Sequence, residues 1–184
     1  KPTASFTQPT RFEQLYVLPS HPALEDLHGK LESRYKIYKL REALDELADD
    51  FDLIYIDTPP ALNFYTRSAL IAADTCLIPF DCDAFSRQAL YALLDAVAEI
   101  RADHNPALAV EGIVVNQFQA RASLPRRLVD ELRDEGLPVL DPCLSASVKI
   151  RESHEQACPM IHLDARHKLT RELLALDDRL NAGR

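Results

Sequence analysis

Ten residues, Phe51-Asp52-Leu53-Ile54-Tyr55-Ile56-Asp57-Thr58-Pro59-Pro60, constrain the fold more than any other stretch of the chain. Leu53 to Ile56 is an unbroken apolar, β-prone run, the pattern of a strand buried on both faces of a parallel sheet. Asp57 ends the run, and Thr58-Pro59-Pro60 bars further ladder pairing because proline has no N–H to donate. The stretch therefore predicts a central strand that delivers the Asp57 carboxylate to its carboxyl end, where open α/β sheets bind their ligands. A strand that simply stops in a polar turn is the other reading of the same residues.

The flanking sequence predicts strands alternating with helices. Short strands are expected over Glu13–Leu18, Thr75–Pro79, Val110–Val115 and Leu137–Leu144, the last broken by Pro138 and Pro142. Amphipathic helices are expected over Leu31–Asp49, Ala61–Ala73, Ser86–Arg101, Leu124–Glu135 and His167–Leu180, with Gly136 placed to cap the fourth. Such alternation implies right-handed crossovers and a mostly parallel β-sheet flanked by helices on both faces. With 184 residues, 47% hydrophobic and 27% charged, one α/β domain over 1–184 is the expectation.

Composition also excludes. No apolar stretch approaches the ~20 residues of a membrane helix, and no basic-then-apolar leader opens the chain, so no membrane partner is expected. A net charge of -8 argues against a broadly basic, nucleic-acid-binding surface, though not against a local patch. Cys76, Cys82, Cys143 and Cys158 show no C-x-x-C spacing, which points to reduced thiols in a cytoplasmic protein rather than a zinc or redox pair. The chain begins at Lys1 and its only methionine is Met160, so a fragment of a longer protein is expected.

Residues 51 to 100 continue from FDLIYIDTPP through ALNFYTRSALIAADTCLIPF to the helix beginning at Ser86. This order (apolar strand, Asp-x-Pro-Pro, helix ending Ala-Ala-Asp, strand ending Ile-Pro) resembles the middle of a ParA/MinD-type deviant P-loop ATPase. Leu18-Pro19-Ser20, Gly112 to Phe118 (GIVVNQF) and Val148 to Ser153 (VKIRES) fit the same family in the same order. The resemblance implies a P-loop NTPase-like α/β fold and a partition or positioning ATPase using ATP and Mg²⁺. It implies that Asp57 sits at the magnesium, through a water, as suits an ion that keeps much of its hydration. Thr58, Pro59 and Pro60 would begin the segment that senses the γ-phosphate, or serve only as strand breakers. Asn116 would offer its amide to the adenine edge, or cap a strand. Leu144-Ser145 stands where the family usually has Ile-Pro beside the base, which makes Ser145 a cofactor-binding candidate. Expected partners are a second copy in the ATP-bound state, an adaptor or cargo protein of the ParB kind, and non-specific DNA at the bacterial nucleoid. The DNA candidates are Arg121, Arg126, Arg127, Lys149 and Arg151, with Asp130, Glu131, Asp134 and Glu135 interspersed.

The departures carry equal weight. Phosphate binding in this class needs a glycine-rich loop with a lysine, and none of Gly29, Gly112, Gly136 and Gly183 lies in one. Gly29-Lys30 is followed by Leu31 rather than Ser or Thr, and Leu24 stands where the first glycine belongs. The acidic segment that positions the attacking water in the family is also missing. The expectation is the C-terminal two-thirds of a ParA-like domain, lacking the N-terminal strand-loop-helix portion and inactive as it stands. An amidoligase resembling cobyrinic acid a,c-diamide synthase, or a non-enzymatic binding module without a phosphate loop, are the alternatives. The amidoligase would need a nucleophilic Cys in a small-residue elbow, and none of the four has that setting.

Overall fold

Strand and helix alternate from Thr75 to the end of α5, much as the patterning predicts, while the first third departs from it. The computed structural model describes residues 2–182. In chain order the elements are a 3-10 turn Thr3–Phe6, β1 Gln8–Pro9, β2 Tyr16–Val17, α1 Ala23–Ser33, α2 Lys39–Asp45, α3 Phe64–Ala72, β3 Thr75–Asp81, α4 Ala84–Asp103, β4 Ala109–Asn116, α5 Ser123–Asp134, α6 Lys149–Glu155, α7 Met160–Leu163 and α8 Lys168–Asn181. Among the described residues no helix is long and apolar enough to cross a membrane. Residues up to Asp74 together with Val97–Leu108 form one compact unit, and Thr75–Ala96 with the described residues from Ala109 onward form another.

In the second unit β3 and β4 pair in parallel, from Thr75↔Ala109 to Asp81↔Asn116. Alternate residues serve opposite faces, as strand geometry dictates. Ile78, Phe80, Ile113 and Val115 pack with Leu90 of α4 and with Val129 and Leu132 of α5. Leu77 and Val114 join Leu140, Leu144, Met160 and the α8 residues Leu169 and Leu176 in a second cluster. Helices thus cover both faces of a parallel sheet, and the fold is α/β. Each fully buried side chain of this kind contributes about 1.5–3 kcal/mol.

Of the strand expected over Leu137–Leu144 only Val139 pairs, in an isolated parallel bridge to Ile113, and a second bridge, Phe118↔Ser145, lies just past its end. Pro138 and Pro142 account for this, because neither can donate to a ladder. A register shift between Cys76 and Leu77 leaves Glu111 unmatched and brings Gly112 under Leu140. A methyl group on Gly112 would lie 2.4 Å from Leu140 Cγ. Gly112→Ala should therefore lower stability by about 1–3 kcal/mol, the usual cost of overpacking a filled core; chemical denaturation measures it, and an unchanged midpoint would show that Leu140 moves aside freely. Gly136, at φ +78, ends α5 in the conformation expected of it.

The first unit is built around α3. Asn105, itself buried, donates from Nδ2 to the carbonyls of Leu70 (3.2 Å) and Ala73 (2.8 Å), and the Arg41 guanidinium donates to that of Ile71. The last turn of α3 is thereby satisfied by side chains rather than by water. The single helix expected over Leu31–Asp49 is instead α1 and α2, separated at Tyr35, whose φ is +54 and which is 90% exposed. Apolar spacing continues across that break, so periodicity alone did not reveal it. Only Tyr16–Val17 of the expected Glu13–Leu18 strand pairs, antiparallel to Gln8–Pro9.

The central prediction also needs correcting. Leu53 to Ile56 form no ladder, and Leu53, Ile54 and Tyr55 are 45%, 37% and 63% exposed. A strand requires a neighbour, and none of the described residues runs beside this segment to supply hydrogen bonds.

Candidate functional site

Asp57, Thr58, Pro59 and Pro60 form an exposed loop whose far end is fastened to α3. The buried Thr66 hydroxyl donates to the Ala61 carbonyl (2.6 Å) and lies 3.4 Å from that of Pro59. Asn63 caps α3 by accepting from the Tyr65 and Thr66 N–H groups at 3.0 and 3.2 Å. Its own N–H donates to the Ala61 carbonyl at 2.8 Å. The Asp57 carboxylate faces solvent and, among the described residues, has no ion pair or hydrogen-bond partner. No cluster of three or more His, Cys, Asp or Glu positioned for a metal occurs among the described residues. Asp57 could hold Mg²⁺ only as a minority ligand, through water, with oxygens from elsewhere completing the shell. Asn63 and Thr66 escaped sequence reasoning. An Asn directly ahead of an apolar helix was a usable capping signal for the first, and nothing local marked the second.

In the second unit, β3 and β4 end level with one another at Asp81 and Asn116. Gln117 turns out at φ +50 and donates from Nε2 to Asp81 Oδ2 at 3.2 Å. Asn116 is half-buried and its amide has no hydrogen-bond partner among the described residues, so both its donor and its acceptor remain available. Ser145 lies beside this strand end through the Phe118↔Ser145 bridge. Both of its donors are occupied: the N–H and the hydroxyl each reach the Glu172 carboxylate at 2.8 Å. Lys168 Nζ donates to Ser145 Oγ at 2.8 Å and pairs with Glu172 at 3.3 Å. Burial pushes the Glu172 carboxyl up, but the bonds from Ser145 and Lys168 outweigh it and leave the group below the ordinary carboxylate range. An open cavity of about 420 Å³ adjoins this cluster, lined by Phe118, Val129, Arg133, Cys143, Ser145 and Glu172 among others.

The basic candidates divide. Arg127 pairs with Glu131 at 3.5 Å and Lys149 with Glu152 at 2.8 Å, whereas Arg121, Arg126 and Arg151 have no ion pair among the described residues. Glu131 and Glu135 are engaged by Arg87 of α4, and Tyr91 donates to Glu135, which neutralises part of the acidic face of α5. The thiols offer no activated nucleophile at three positions. Burial pushes Cys76 and Cys143 up, and burial with the neighbouring Cys143, Asp81 and Asp83 takes Cys82 to about 11.

Comparison with known proteins gives these residues a context. A family model described as an AAA domain matches residues 2–110, more than half of the chain. The chain is 32% identical over 178 residues to the chromosome partitioning protein ParA of Myxococcus xanthus, covering 96% of this chain and 63% of that protein. Its fold is similar to that of Cyanothece McdA in an ATP complex, with a TM-score of 0.87 at 18% identity over 98% of this chain and 72% of that one. It is also similar to cobyrinic acid a,c-diamide synthase from Mycobacterium smegmatis with a bound ATP analog and magnesium, with a TM-score of 0.82 at 23% identity over 100% and 70% of the two chains. The sequence order around Asp57, the parallel α/β architecture and the extent of the family match converge: the chain belongs to the ParA/MinD-type P-loop ATPase family.

Proposed function

We propose that these residues are the C-terminal two-thirds of a ParA-like partition or positioning ATPase domain. The observation that carries the reading is the Asp57-Thr58-Pro59-Pro60 loop, an exposed carboxylate followed by two prolines and fastened to α3 through Thr66. The kinship to a chromosome partitioning protein supports the same reading. In the full-length protein Asp57 takes the magnesium side, and Thr58, Pro59 and Pro60 form the segment that responds to the γ-phosphate. The unpartnered Asn116 amide faces the adenine edge.

Asp57 suits a magnesium ion and Asn116 suits a base edge, each judged by its own chemistry, and none of the described glycines suits a phosphate. Phosphates need converging backbone N–H donors. Gly29 lies within α1, Gly112 is covered by Leu140 in β4 and Gly136 ends α5, so none of these opens such a cradle. The chain spans 63% of the Myxococcus xanthus relative, and we place the glycine-rich loop in the part of the full-length protein outside these residues. When bound, ATP with Mg²⁺ supplies the γ-phosphate whose hydrolysis resets a dimer switch. The dimer binds DNA non-specifically through Arg121, Arg126 and Arg151, with Arg127 and Lys149 partly neutralised by their ion pairs. An adaptor or cargo protein of the ParB kind couples the cycle to movement over the nucleoid, in the cytoplasm.

The full-length protein should shift from monomer to dimer on size exclusion, and be retained on DNA, only with ATP and Mg²⁺. Replacing Arg121, Arg126 and Arg151 together by Ala should lower DNA retention about tenfold or more at fixed salt and flatten its salt dependence, while leaving ATP-dependent dimerisation intact. Binding to DNA that ignores nucleotide, or that survives the triple replacement, would overturn this assignment.

A further inference from the structure

We infer that Glu172, supported by Lys168, is a positioning residue that sets the edge formed by Asn116 and Ser145. The inference rests on the reading of Asn116 as the base-facing residue. The backbone around Ser145 is held from two sides. On one side the Leu144 N–H donates to the Val115 carbonyl and the Phe118 N–H donates to that of Leu144, each at 2.8 Å, so the segment is tied one residue before and two residues after Asn116. On the other side stands Glu172 of α8, which takes both the N–H and the hydroxyl of Ser145 at 2.8 Å. While those bonds stand, Ser145 has no side-chain donor to give a ligand. Its part is to be held, and the group that holds it is Glu172.

A carboxylate is a costly way merely to pack a helix. The Glu172 side chain is only 14% exposed, and α8 already contributes Leu169, Leu173 and Leu176 to the apolar cluster. Removing a charge from water costs free energy unless its hydrogen bonds are well made. Here three donors from Ser145 and Lys168 converge on one carboxylate and one hydroxyl, and they fix a single rotamer and a single path for residues 144–146. The path matters because it flanks the one amide at the end of β4 whose donor and acceptor are both unspent. Loosening it lets the strand end and its neighbour separate, and a planar base discriminated by an amide depends on that spacing.

The test uses the full-length protein and compares affinities for ATP and GTP by competition binding, alongside amide exchange over residues 141–147. Glu172→Gln keeps the shape of the side chain but loses the charge. It should lower the preference for ATP over GTP about tenfold, roughly the worth of one charge-assisted hydrogen bond, and speed exchange at Ser145. Ser145→Ala removes only the hydroxyl and should act in the same direction with a smaller factor. Asn116→Ala separates the two layers of the inference. If Asn116→Ala abolishes the preference and Glu172→Gln leaves it unchanged, the positioning role is wrong and the base reading stands. If neither changes the preference, the base reading fails and takes the inference with it. Should Glu172→Gln not fold, Lys168→Met, at a 65% exposed side chain, carries the same expectation in weaker form, and an unchanged preference there overturns it.

Discussion

The 184-residue chain, titrated with ATP and Mg²⁺ in a calorimeter, should show no binding tighter than about millimolar and no turnover. The argument is electrostatic before it is familial. A triphosphate brings several negative charges to a chain that already carries -8, with Asp57 exposed at the proposed metal side. The compensating groups in a phosphate site are backbone N–H donors, a helix N-terminus and a lysine. None of the glycines described here shapes such a site. Mg²⁺ alone can associate with Asp57, but one carboxylate is a weak site without the phosphate oxygens that complete its shell. Apolar side chains at Leu53, Ile54 and Tyr55 stand exposed on a segment with no ladder partner, so the isolated chain should also self-associate as its concentration rises. Light scattering alongside the titration reports that directly. Micromolar binding, or measurable hydrolysis, would mean that residues other than those identified here cradle the nucleotide, and the need for a separate phosphate loop would fall.

Asp57→Ala in the full-length protein should lower Mg²⁺-dependent ATP hydrolysis by about a hundredfold, the scale of losing a group that holds charge-neutralising metal in place. Stability should change little. The carboxylate is exposed and has no partner among the described residues, and surface substitutions away from packed or bonded groups stay within about 0.5 kcal/mol. The loop keeps its anchorage, since Thr66 and Asn63 bond to the carbonyl of Ala61 rather than to the Asp57 side chain. Paired measurement of melting temperature and of turnover against Mg²⁺ concentration separates loss of function from loss of fold. Wild-type turnover with an unchanged Mg²⁺ dependence would refute the role given to Asp57, whatever the status of the family assignment.

Much of the second unit was legible from sequence because its periodicities are completed inside the chain. β3, β4, α5, α8 and the part of α4 up to Ala96 lie within a few residues of the predicted spans, since each apolar stripe finds a covering surface in Thr75–Ala96 or beyond Ala109. Gly136 was legible for a different reason: a positive φ after a helix is a local demand that few residues besides glycine meet easily. Family membership was legible from the order of short segments around Asp57, and the 32% identity to a chromosome partitioning protein over 178 residues agrees with it.

What the sequence could not determine are relations between distant residues. Glu172 meets Ser145 across 27 positions, and Asn105 meets Leu70 across 35, with no pattern in either neighbourhood to announce the contact. Leu140 closing over Gly112 likewise depends on a register shift one residue earlier in the ladder. Leu53 to Ile56 show the same limit from the other side. Their apolar run specifies a strand buried on two faces, yet a strand is a pairing and not a property of four residues. Side-chain periodicity is written in the local sequence. Hydrogen-bond partners, buried charge and ladder register are settled only when the tertiary structure brings the second member of each pair into place.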